Sequence, residues 1–206
     1  MNFKYFLENY KVNADHWYHG DQSKRSDFCN QNMDRDTQVA EANARGPGIY
    51  LTSDIDQANR YAYPNGYMYT VKIDTSRGRV ISDDDKSSKN KKFLFSLIKK
   101  AQLLNVETAF YGVSNYAEVS DVSDVKDQHF INIINNYLSK ETFIDSCLTV
   151  EKEFFQDSNQ WTKSMVELGV IGYIHEFKGA GISHFIIYDC NVIKILAEKS
   201  YGVVGK

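Results

Sequence analysis

Two periodicities divide this chain. Apolar positions recur at helical spacing near the start, where Phe3, Phe6 and Leu7 share one face of a short helix expected over residues 3–10, and again in the middle. There Leu94, Leu97, Ile98, Ala101 and Leu104 predict a helix over 93–104. Three further groups predict two or three helices within 128–168: Phe130, Ile133, Ile134 and Tyr137; then Phe143, Ile144, Cys147 and Leu148; then Trp161 and Met165. Gly169 closes the last of them as a C-terminal cap. The other period is the short run of apolar, β-branched and aromatic residues that makes a strand. "HWYHG" reads as a brief strand stopped by Gly20, and "GIYLT" as a buried one. "YMYTVKID" follows the turn "PNG", and "VIGYI", "SHFIIYD" and "VIKIL" close the chain, the first two joined by a flexible "KGAG" turn.

Between these elements lie two polar stretches. Residues 21–45 read as a long loop with a possible helical turn near 37–44, and 82–92, "SDDDKSSKNKK", as a solvated charged loop whose consecutive aspartates do not converge on a metal. Ser53 is expected to cap a helix running through Ala58 and Tyr61 and ending before Pro64, with Asp56 completing a capping box. No internal repeat and no Pro/Gly/Ser linker interrupts the order of strands, helical middle and strands. The expectation is one α+β domain over residues 1–206 with a helical insertion in its middle.

Composition narrows the function classes. Hydrophobic residues at 42% and charged ones at 25% suit a soluble globular protein. No apolar run reaches the ~20 residues of a membrane span, and the N-terminus has no signal-peptide pattern. The net charge of −3 argues against general nucleic-acid binding, which needs a basic face. Cys29, Cys147 and Cys190 are odd in number, far apart and without a CxxC, so neither a disulfide framework nor a zinc knuckle is expected, and a reducing interior fits. Fourteen tyrosines suit a β-rich core or a stacking pocket equally. The Asn-, Lys- and Ile-rich composition points to a bacterial or phage source.

Three segments in order resemble the signatures of the ADP-ribosyltransferase fold, in the branch shared by diphtheria-type toxins and poly-ADP-ribose polymerases. They are Tyr18-His19-Gly20; Gly46-Pro47-Gly48-Ile49-Tyr50 with Tyr61 on the helix that follows; and the late strand His184-Phe185-Ile186-Ile187-Tyr188-Asp189. The pattern spans about residues 18–196, while the middle helices match nothing in the family. The resemblance implies a split β-sheet core and an enzyme that breaks the nicotinamide–ribose bond of NAD, with no metal. It implies that His19 bonds a ribose hydroxyl and that the Gly20 backbone takes the nicotinamide carboxamide, a close approach that a side chain would block. Tyr50 and Tyr61 would sandwich the ring. Thr52 and Arg45 join them as NAD-binding candidates, and Lys24, Arg25 and Arg60 are further cations for the pyrophosphate.

The sequence departs from the family at two places. Ala58 stands where the polymerases carry a carboxamide-binding serine. His184 stands where the family's catalytic glutamate belongs, and a histidine supplies no negative charge to an oxocarbenium-like sugar. Glu176, across the "KGAG" turn, is a possible substitute. With His19, Tyr50 and His184 as the catalytic candidates, the expectation is mono-ADP-ribosylation of an unidentified macromolecular acceptor, a protein, in a cytoplasm or a host cytoplasm into which the chain is delivered. The alternative is a related module that binds NAD or ADP-ribose without chemistry. A third reading, removal of a 2′-phosphate from RNA, lacks the arginine cluster such enzymes use.

Overall fold

The computed structural model describes residues 16–29, 46–82, 85, 89–177 and 181–202. The helix expected over 3–10, the turn near 37–44, the centre of "KGAG" and the candidate Arg45 lie outside the described residues. The chain is mixed α and β and divides into two compact units: residues 1–32, 48–80 and 171–206 form one, and residues 33–47 and 81–170 the other.

The first unit is built on strands β1 (Trp17–Asp21), β2 (Ile49–Thr52), β3 (Tyr67–Ile73), β4 (Arg79–Ser82, at the unit boundary), β5 (Val170–Phe177), β6 (Ile182–Ile187) and β7 (Ile193–Ser200), with helix α1 (Ile55–Ala62). Strand order in the sheet is β4-β5-β6-β2-β1-β3-β7. β1 is antiparallel to β3 along all five of its residues, and β2 to β6 along all four. Between β1 and β2 the ladder holds one pair, Tyr18 with Thr52.

Two local details differ from the sequence expectation. β1 runs one residue past Gly20, because Gly20 and Asp21 keep their pairing with Met68 and Tyr67. Helix α1 is capped by Asp54, whose carboxylate accepts the Asp56 amide, and not by Ser53. Ser53 is drawn into the sheet instead: its amide donates to the Ser183 carbonyl at 2.9 Å, and its hydroxyl accepts the Ser183 amide at 2.9 Å. Ala58 and Ala62 pack α1 on Met68, with Tyr18 and Tyr201 closing the cluster.

The helical unit contains α2 (Asn90–Leu104), α3 (Val106–Ser114), α4 (Asp127–Lys140), α5 (Phe143–Phe154) and α6 (Ser158–Glu167). Most of the expected apolar positions form its core: Leu94, Leu97, Ile98, Phe130, Ile134, Cys147, Trp161 and Met165 are buried, whereas Leu104, expected on the same face as Leu94, is exposed at the end of α2. Gly169 adopts φ +83 after α6, as a C-terminal cap requires. α3 has no counterpart in the sequence reading. Asn105 creates it, ending α2 and then accepting the Thr108 amide as the N-cap of the next helix. Among the described residues no helix is long and apolar enough to cross a membrane.

One expectation is overturned. Cys29 and Cys190 are bonded, with Cα atoms 5.1 Å apart although 161 residues separate them; Cys147 is buried and takes no part in the bond. Spacing along the chain is blind to a pair that only the sheet brings together. The bond also removes the cysteine-based argument for a reducing interior, since disulfides persist in oxidising surroundings.

Candidate functional site

Register decides which candidates share a face. Tyr18 stands opposite Thr52, Thr52 opposite His184, and His184 opposite His175. Cross-strand partners project to the same side and neighbours along a strand to opposite sides. Tyr50, Thr52 and His184 therefore share the face that also bears Tyr18 and Gly20. Helix α1 lies on that face. A Cβ built on Gly20 would fall 2.8 Å from the Tyr61 Cβ and 3.0 Å from the Ala58 carbonyl carbon, so the glycine is what lets the helix backbone close on β1. Tyr61 is thus brought beside Gly20, with 45% of its surface exposed, and Tyr50 is half-buried on the adjoining strand.

Thr52 and His184 are joined through a residue that the sequence reading did not single out. Gln57, on the first turn of α1, accepts the Thr52 hydroxyl at 2.6 Å and lies 2.7 Å from His184 Nε2 through the same oxygen. The Thr52 hydroxyl in turn accepts the Asp54 amide at 3.1 Å. The His184 ring, 6% exposed as a residue, stands edge-on to Phe177 with centroids 4.7 Å apart. Gln57 was legible in principle: it precedes Tyr61 by four residues and so shares its side of the helix.

His19 projects to the other face. Its Nδ1 donates to the Tyr50 carbonyl at 2.7 Å, from β1 to β2. Its ring packs edge-on against Phe28 at 5.0 Å and lies 6.4 Å from Tyr69. Its Nε2 is buried without a hydrogen bond, 3.6 Å from Asp21 Oδ2. Burial alone would raise the Asp21 carboxyl, but His19, the Ser23 amide and the Arg25 guanidinium at 2.5 Å outweigh it and hold the group well below the carboxylate range. The Arg25 amide donates to the Tyr69 hydroxyl at 2.6 Å. Phe28 is buried, and its neighbour Cys29 carries the disulfide, so this loop is fastened over His19.

The cations proposed for a pyrophosphate separate. Lys24 pairs with Glu198 at 3.1 Å and Arg25 with Asp21, both on the His19 face. Arg60 is exposed in the last turn of α1. Glu176 lies inside β5 opposite Ser183, and alternation sends its side chain away from the face of His184. The structure thus brings Gly20, Tyr50, Thr52, Tyr61 and His184 to one side of the sheet, and His19, on the other, bonds the Tyr50 carbonyl. Among the described residues no group of three or more His, Cys, Asp and Glu side chains is placed to hold a metal ion.

No protein-family model, no curated protein and no solved structure matches the chain.

Proposed function

We propose that this chain binds NAD on the α1 face of its sheet and transfers single ADP-ribose units to a macromolecular acceptor, releasing nicotinamide, with the architecture of an ADP-ribosyltransferase. The observation that carries the reading is the placement of Tyr61 beside Gly20, with Tyr50 on the adjoining strand and the same face. Two tyrosines on the face that carries the side-chain-free Gly20 suit a flat amide-bearing ring, and stacking on such rings adds about 0.5–1.5 kcal/mol beyond area burial. The one-pair contact between β1 and β2 agrees with a split sheet. His19 then holds Tyr50 in place through its carbonyl, so its effect on NAD passes through the neighbouring strand.

A specific observation favours the second reading, binding without chemistry. His184 is tied to a neutral amide, and the carboxylates of Asp21 and Glu176 face the other side of the sheet. Stabilising developing positive charge needs a preorganised negative group at that place. The two readings part in one experiment: incubation with NAD while following free nicotinamide and labelled ADP-ribose in a cell lysate. Transfer is expected to give both signals. Thermal stabilisation by NAD with neither signal assigns a binding module, and no stabilisation at millimolar NAD rejects both. His184→Glu is expected to raise NAD hydrolysis at least tenfold; an unchanged rate refutes the assignment of residue 184 to the glutamate position.

A further inference from the structure

With the Gln57 amide oxygen turned toward Thr52 and His184, the junction of these three side chains has a direction. A carbonyl oxygen has two lone pairs and donates nothing. Gln57 Oε1 receives the Thr52 hydroxyl at 2.6 Å and faces His184 Nε2 at 2.7 Å, so both places are filled from within the protein. Since the Thr52 oxygen accepts the Asp54 amide, its own proton is the one given to Gln57. His184 Nε2 then carries a hydrogen and donates. An imidazole nitrogen committed in this way cannot also accept a bond from a ligand hydroxyl, and the other ring nitrogen, Nδ1, is buried. Gln57 keeps its NH2 group, two donors on a half-buried side chain that shares its side of α1 with Tyr61.

We propose that Gln57, and not His184, is the residue that meets the ligand at this end of the pocket: its amide NH2 donates to an oxygen of the nicotinamide riboside half of NAD, while His184 is a positioning residue that holds the Gln57 carbonyl from behind. The ligand in this proposal rests on the NAD reading above; the hydrogen-bond direction does not. Two donors on a neutral amide suit an acceptor oxygen, a carboxamide carbonyl or a sugar hydroxyl, and bring no charge to the reacting centre.

The test has two readouts on the full chain. Two-bond proton–nitrogen NMR correlations of the imidazole report the tautomer directly: His184 is expected in the Nε2–H form, and Gln57→Leu is expected to release it into a mixture. NAD titration supplies the second readout. Gln57→Leu and His184→Leu are each expected to weaken NAD binding about tenfold or more, while His184→Gln, which keeps a donor at similar reach, stays within about threefold of the parent. A His184→Gln loss as large as that of His184→Leu would show that the imidazole itself touches the ligand, and overturns the proposal. So does unchanged binding by Gln57→Leu, or an Nδ1–H tautomer in the parent protein. If the parent fails to bind NAD, the NAD reading falls and takes with it the ligand assigned to Gln57, while the tautomer still judges the direction of the junction.

Discussion

Replacing Gly20 by alanine adds one methyl group where the backbone of α1 already rests on β1. The new carbon would lie 2.8 Å from the Tyr61 Cβ, 3.0 Å from the Ala58 carbonyl carbon and nearer still to the Ala58 oxygen. Carbon atoms ordinarily rest about 3.5–4.0 Å apart, so the overlap is roughly 0.7 Å against Tyr61 alone. Two of the three obstructing atoms are main chain, and no rotamer change removes them. Helix α1 must lift, loosening Ala58 and Ala62 from Met68 and Tyr18. Overpacking of this kind costs about 1–3 kcal/mol, and the rigid backbone places Gly20→Ala at the upper end, about 2–3 kcal/mol. At about 2–4 °C per kcal/mol for a chain of this size, the melting temperature should fall by about 4–12 °C. Gly181→Ala is the comparison: an added Cβ there meets nothing within 4 Å, and only its φ of +67 opposes the change, at roughly 1–2 kcal/mol. Scanning calorimetry on both variants is the assay. A Gly20→Ala melt within 1 °C of the parent would refute the packing argument, and a loss no larger than that of Gly181→Ala would reduce it to a backbone effect.

Asp21 titrates below its ordinary value of 3.8 in the folded chain, so the stability it lends is complete above that pH and fades as the pH falls below it. Asp21→Asn should therefore melt lower than the parent at pH 7, with the gap narrowing as the pH falls from 4 toward 2; a gap independent of pH contradicts the ion-pair account. Reduction, or Cys29→Ser, should lower the melting temperature, because cross-linking residues 161 apart removes up to about 5 kcal/mol of chain entropy from the unfolded state on the loop-closure model; reductant should leave Cys29→Ser unmoved. In the helical unit the Glu153 carboxylate accepts the hydroxyls of Tyr116, at 2.7 Å, and Tyr137, and burial together with that carboxylate pushes the Tyr137 phenol far above its ordinary value. Tyr137→Phe should cost about 1.5–3 kcal/mol in denaturant unfolding, and a loss under 0.5 kcal/mol rejects the pairing.

What the sequence made legible follows the range of each interaction. The helices of the middle announced themselves through residues such as Leu94, Leu97 and Ile98, because a 3.6-residue period is local. The short β4 carries only Val80 and Ile81 as apolar signal, and α3 depends on one asparagine serving two helices, so neither stood out. Strands β2 and β6 were read from composition, but their register was not, and register alone puts His184 beside Thr52 and sends His19 and Glu176 to the other face. The disulfide failed for the same reason. Gln57 was overlooked because a glutamine on a helix is ordinarily a solvated one, and only the closeness of two other side chains gives it a task.

A seven-stranded sheet joined at its centre by one residue pair has an unequal resistance to opening. On one side of the seam β1, β3 and β7 are stitched along their length, with one register shift between Thr70 and Val71; on the other, β2 is stitched to β6 and β6 to β5. Across it stand the Tyr18–Thr52 pair and the bond from His19 to the Tyr50 carbonyl. The sheet should therefore exchange its amide hydrogens in two separately protected blocks. The line along which it yields first passes between Gly20 and Tyr50.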